Sequence, residues 1–263
     1  IKRVEILSAF QERVPDIPAL EAEALAALVT LRDVIKALEG TAISKAPASK
    51  REPIRATKAP TKPSSTTILA RDALRLEPLD SASSRPRLDL PAGSVFAVIG
   101  EATPFRSAIA AALGYRGFRA AEFPLGPATE VSDSLAGVIV MGAGRPLDEF
   151  LAVQSWGAVL RGTKTERARL LACVTRMDGG FGLRDASAIA HPESAALVGL
   201  AKTAAREWPE LTVRAIDIAS DLGHEVAGRA LVEEILAEGP VESGISSEGT
   251  RSIALERVAT SGS

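Results

Sequence analysis

Cysteine, histidine and tyrosine are almost missing from this 263-residue chain, which holds one cysteine, two histidines and one tyrosine. A single cysteine excludes an internal disulfide and any zinc site built from thiolates. Cys173 lies in the apolar run Leu170-Leu171-Ala172-Cys173-Val174, so it reads as a small buried hydrophobe and not as a nucleophile. His191 and His224 stand apart from each other and from any carboxylate pair at ligand spacing, so no metal site is expected. Net charge is −2, from 31 basic and 33 acidic residues, which gives no pull toward a polyanion or an acidic membrane surface. No apolar run approaches the roughly 18 residues of a membrane span, and neither a signal peptide nor an initiator methionine is present. This is the balance expected of a soluble, cytoplasmic protein.

What is present falls into three regions. In residues 1–40, Val4, Ile6, Leu7, Phe10 and Val14 recur at helical spacing until Pro15 and Pro18 stop the pattern. A short segment at 20–28 follows. A last helix is predicted from Thr30-Leu31-Arg32-Asp33, which has the form of a capping box, with Leu31, Val34, Ile35 and Leu38 on one face and Gly40 as its stop. Three short helices cannot enclose a core of their own. Residues 41–67 are a flexible linker. Pro47, Pro53, Pro60 and Pro63 interrupt it, Lys45, Lys50, Arg51, Arg55, Lys58 and Lys62 charge it, and large apolar residues are scarce. No aromatic residue interleaves with those basic groups to stack on bases, so nucleic acid is not an expected partner.

The third region, 68–256, alternates strand and helix, and 257–263 form a tail. Strands are predicted at 95–99, 118–123, 137–141, 170–174 and 211–218, with two short ones near Val241 and Ile253. Helices are predicted at 104–113, 147–160, 193–207 and 225–237. Continuous apolar strands separated by amphipathic helices imply an α/β domain, a doubly wound, Rossmann-like parallel sheet covered on both faces.

Such a sheet binds a dinucleotide through a glycine-rich turn after its first strand, where side chains would block the pyrophosphate. Here Ile99 is followed by Gly100-Glu101-Ala102-Thr103-Pro104-Phe105-Arg106, with one glycine, bulky successors and a repelling carboxylate. Short-chain dehydrogenases, one family with such a sheet, use a Tyr-x-x-x-Lys pair on a helix, the lysine easing proton donation by the tyrosine. Lys202 has Val198 four residues before it, and the sole tyrosine, Tyr115, sits in a distant turn. Ser187 therefore lacks a partner, and Lys202 reads as a solvent-facing residue. No catalytic and no cofactor-binding residue is expected. Gly142-Ala143-Gly144-Arg145 reads as a plain strand-to-helix turn, Asp178-Gly179-Gly180-Phe181-Gly182 as a glycine-rich loop and not a mobile lid, and Trp156 and Trp208 as packing residues.

Two resemblances add to this reading. The opening Ile1-Lys2-Arg3-Val4-Glu5-Ile6-Leu7 resembles the recognition helix of acyl carrier proteins in multidomain polyketide and polyunsaturated fatty acid synthases. There the motif follows Asp-Ser, and the serine carries 4′-phosphopantetheine. The resemblance implies a partial all-α carrier bundle over 1–40, an attachment serine just before Ile1, and Ile1, Lys2, Arg3, Val4 and Glu5 as its recognition surface. It also implies that the chain is an internal piece of a longer polypeptide and that a phosphopantetheinyl transferase is a partner.

The segments Thr175 to Leu183, Gly199 to Pro209 and Gly249 to Glu256 resemble the ketoreductase of the same synthases, which is built of two short-chain-dehydrogenase-like halves. The match is to the first, structural half. It implies a domain that supports an absent catalytic half, which would bind NADPH, and other synthase domains as further partners. Two alternatives stand beside it: a free-standing NAD(P)-dependent oxidoreductase with a degenerate nucleotide loop, and a docking or scaffold protein.

Overall fold

A computed structural model describes residues 71–258, apart from 130–133, 164–166, 186, 188 and 190. They fall within one unit of the chain, Thr67–Ser263. The expected carrier segment with Ile1, Lys2, Arg3, Val4 and Glu5, and the linker at 41–67, lie outside the described residues.

The elements run β1 (Arg71–Pro78), β2 (Val95–Ile99), α1 (Pro104–Tyr115), β3 (Arg119–Phe123), β4 (Leu135–Met141), α2 (Pro146–Gly162) and β5 (Leu170–Thr175). Then come α3 (Ala195–Glu207), β6 (Thr212–Ile218), α4 (His224–Ile235), β7 (Glu242–Ser246) and β8 (Gly249–Val258). They form one eight-stranded sheet in the order β1-β8-β7-β6-β5-β4-β2-β3. From β3 to β7 every neighbouring pair is parallel. This is the doubly wound, Rossmann-like α/β arrangement that the strand and helix pattern predicts.

Alternation along each strand divides the core. Val95, Ala97 and Ile99 face the same side as Val138, Val140, Leu171 and Cys173, under Trp156 and Leu160 of α2 and Leu197 and Ala201 of α3. Phe96, Val98, Ile139, Ala172 and Ile216 face the other side, under Ile109 and Leu113 of α1 and Leu231 and Ile235 of α4. With helices on both faces the strands need apolar residues at successive positions, which is why β2 and β5 are buried throughout. Helices α1 and α4 touch where Gly228 meets Ala108. A Cβ at Gly228 would lie 2.8 Å from the Ala108 carbonyl carbon, so only glycine allows this approach.

No helix links β3 to β4 among the described residues. Instead the chain after β3 lies over α2: Trp156 donates from Nε1 to the Gly126 carbonyl at 3.1 Å, and Ser155 Oγ accepts from the Ala128 N–H at 2.9 Å. Trp156 is fully buried, and Trp208 packs over Gly157, so both tryptophans are packing residues as expected.

The sheet departs from the wholly parallel expectation at one edge. β8, ten residues long, runs antiparallel to β7 from Gly249 to Ser252, and β1, which the sequence pattern does not predict, runs antiparallel to β8. β1 mixes charged and apolar residues without a sustained period in a largely exposed two-stranded ribbon, so it lacks the continuous apolar run that marks the buried strands.

Candidate functional site

Open α/β sheets take ligands beyond the carboxyl ends of their strands, where the strand order reverses. Here that point lies between β2 and β4, because the chain goes from β2 outward to β3 and then returns past β2 to β4.

After β2, Gly100 sits against Met141, which a Cβ would meet at 2.9 Å. Thr103 caps α1 by accepting from the Arg106 N–H. The Arg106 side chain then folds back over the strand ends. Its Nη1 donates to the carbonyls of Gly100 at 2.7 Å and Phe123 at 3.2 Å, and its Nε to Glu122 at 2.7 Å. Arg106 is thereby committed to the protein's own acceptors, and Glu101, exposed beside it, pairs with Arg145 at 3.5 Å. A pyrophosphate would meet bulk and negative charge. The residues do not fit a dinucleotide.

After β4, Gly142 to Arg145 form the strand-to-helix turn that the sequence predicts, with Gly144 at φ 67°. The turn wraps a side chain of its own. Glu149, fully buried in the first turn of α2, accepts from the N–H groups of Ala143 at 2.8 Å and Arg145 at 3.3 Å. Beneath it, burial and then the Glu149 charge push the Cys173 thiol up to about 12, so it stays protonated. That agrees with the inert, buried residue expected.

After β5, two carboxylates build the loop. Asp217 of β6, fully buried, accepts at Oδ1 from Thr175 Oγ1 at 2.7 Å and Met177 N–H at 2.9 Å, and at Oδ2 from the N–H groups of Gly180 and Phe181 at 3.0 Å. Asp178 accepts from the N–H groups of Gly180, Gly182, Arg184 and Asp185 at 2.8–2.9 Å. Burial raises the Asp178 pKa, but those four N–H groups outweigh it and hold the carboxyl below the usual carboxylate range. Gly179, at φ 71°, packs backbone to backbone on Gly244 of β7, and a Cβ there would lie 2.3 Å from the Ile245 carbonyl oxygen. This loop is pinned.

Lys202 forms an ion pair with Glu242 at 3.1 Å, and Val198 stands one turn before it. Ser187 donates to Asp185 at 2.5 Å. Tyr115 is 89% exposed at the end of α1, on the opposite side of the sheet from the strands' carboxyl ends. His191 pairs with Glu193, and no group of three potential metal ligands exists among the described residues. No described helix is long and apolar enough to cross a membrane.

The ribbon edge holds the other notable surface. Leu74 of β1 and Leu255 of β8 are direct cross-strand partners, as are Leu76 and Ile253. Leu74 and Leu255, 54% and 71% exposed, form with Ile253, Phe181 and Val198 one side of a groove of about 470 Å³ that the Lys202–Glu242 ion pair also lines. Sequence reasoning missed Arg106, Glu149, Asp178 and Asp217 as the residues that shape this end of the sheet. Asp217 had a visible signal, a carboxylate inside the apolar strand Thr212–Ile218, and Glu149 had another, an acid one turn after a helix-opening Pro146.

No protein-family model matches this chain, and no curated protein does. Solved structures do. An A-type ketoreductase structure from modular polyketide synthases shares 19% identity and a TM-score of 0.50, over 72% of this chain and 42% of that one. An A1-type ketoreductase shares 20% identity and a TM-score of 0.50, over 72% of this chain and 43% of that one. The described residues therefore have a ketoreductase-like fold. The chain spans less than half the length of the structures it matches.

Proposed function

We propose that this chain is a non-catalytic half of a β-ketoacyl reductase unit in a multidomain polyketide or polyunsaturated fatty acid synthase. Its work is mechanical: to hold a separate, NADPH-binding half and, with it, the neighbouring synthase domains. The carrier-like opening Ile1 to Leu7 supports a carrier with a 4′-phosphopantetheine arm on the parent chain, loaded by a phosphopantetheinyl transferase. The observation that carries the reading is the uncovered apolar face at the ribbon edge, where Leu74 and Leu255 lie side by side in water. Isolated exposed leucines are ordinary, but paired ones that border a groove support a surface that meets a partner. The strand ends, where a reductase would hold nucleotide and proton donor, are filled by Arg106 and Glu149 and lack a tyrosine.

Calorimetric titration of the 263-residue chain with NADPH and NADH tests it directly. No heat of binding is expected up to millimolar nucleotide. A micromolar dissociation constant, about −8 kcal/mol, would overturn the reading in favour of a free-standing oxidoreductase.

A further inference from the structure

Glu149 occupies a place that α/β folds otherwise reserve for a ligand's oxyanion. The turn Gly142 to Arg145 leads into α2, a seventeen-residue helix, beside the point where the strand order reverses. Helix starts and nests of successive N–H groups bind phosphate and carboxylate through hydrogen bonds and the helix dipole. Two N–H groups of the turn itself, on Ala143 and on Arg145 at the helix N-cap, converge on Glu149 Oε1. The second oxygen, Oε2, is buried without a hydrogen-bond partner. A surface cap would leave that oxygen in water, and burying an acceptor unpaired costs free energy. The carboxyl group is therefore enclosed by the fold, with Leu197 packed near Gly142 and Glu193 against Gly144.

We propose that Gly142 to Arg145 form an oxyanion cradle, of the size for a carboxylate or phosphate group, which the chain plugs from within using Glu149. The inference rests on the reading above, a reductase half without a ligand site, and names what closes the site beside the reversal point. Vacating the plug should leave a cradle that takes a free oxyanion in its place.

The test is anion rescue of Glu149→Ala in the full chain. Urea unfolding is followed by tryptophan fluorescence, which reports only on the α/β domain because both tryptophans lie in it. Sodium formate and inorganic phosphate are the probes, with chloride at matched ionic strength as control. Glu149→Ala should gain stability saturably with formate, with phosphate acting likewise if the opening admits it. The folding constant should rise at least tenfold over chloride. Wild type and Glu149→Gln, whose amide oxygen keeps an acceptor in the cradle, should show no such gain. If Glu149→Ala does not fold in chloride, recovery of native fluorescence in formate is the supporting result. Neither anion outperforming chloride overturns the cradle, whether the variant is folded or not. Nucleotide binding by wild type would sink the non-catalytic reading while leaving the rescue result legible by itself.

Discussion

Glu234 on α4 accepts a hydrogen bond from Arg214 of β6 at 2.5 Å, and both side chains are 1% exposed. The same carboxylate also pairs with Arg85, which arrives from the segment between β1 and β2. Ser243 of β7 donates to Glu234 at 3.0 Å, and Arg214 donates to the Ala237 carbonyl at 2.9 Å. One buried acid thus ties a helix, two strands and a connecting segment together. Burial lowers the Arg214 pKa, against which the Glu234 charge acts, so the pair depends on remaining intact.

Glu234→Gln should therefore be among the most damaging single changes in the domain. It leaves two guanidinium groups facing each other in the interior with no counter-charge, a change that costs about 3–5 kcal/mol. Replacing Arg214 and Glu234 together with methionine and leucine leaves only Arg85, 10% exposed, without its carboxylate, in place of two guanidinium groups, and should cost less. Urea unfolding of the three proteins checks the order. Equal losses in both variants would mean that packing, and not charge pairing, sets the stability there.

Asp178 gives a pH-dependent prediction. Its carboxyl is held below the usual range in the folded protein, so its contribution is full above the unfolded value near 4 and is lost as pH falls through the folded value. Asp178→Asn should destabilise the protein at neutral pH by about 2–3 kcal/mol, since a charge-assisted set of acceptor contacts is lost. The gap between variant and wild type should narrow below pH 4. Urea midpoints measured from pH 2.5 to 7 give the profile, and a gap constant across it would contradict the argument.

Cys173 makes the opposite case. Its thiol is pushed up to about 12, so its contribution is full below the unfolded value and disappears as pH rises through 9 toward 12. Native protein at pH 8 should resist a thiol reagent such as iodoacetamide, and denatured protein should react completely. Mass spectrometry after timed labelling reads this out. Rapid native labelling would mean that β5 opens locally far more readily than its burial implies.

The buried strands, their parallel pairing and the four helices were legible because each has a period or a continuous apolar run, as in Val95 to Ile99 and Leu170 to Val174. β1 was not, because a half-exposed edge ribbon imposes little on its sequence: Arg71-Asp72-Ala73-Leu74 could equally be a loop. The poor steric fit of a pyrophosphate to the turn Gly100 to Arg106 was readable, since glycine is needed there for steric reasons. What fills the space instead was not. Arg106 reaches Glu122 across 16 positions and Asp217 reaches Gly180 across 37, and contacts at such separations leave no local pattern.

Leu74 and Leu255 test the supporting role itself. As a cross-strand pair they contribute apolar contact to each other, but with 54% and 71% of their surface in water they contribute little to folding. If their face exists to meet a partner half, making it polar should leave the fold intact while changing how the chain behaves toward other surfaces. Leu74→Ser with Leu255→Ser should shift the urea midpoint by less than about 1 kcal/mol equivalent, as exposed substitutions do. The same double variant should bind less of a dye that reports exposed apolar surface, and should stay monodisperse at concentrations where wild type self-associates. Joined to a catalytic ketoreductase half, wild type should raise that half's melting temperature and the variant should fail to. Equal support by both proteins would show that the ribbon face is not the contact, and would remove the observation on which the supporting role rests.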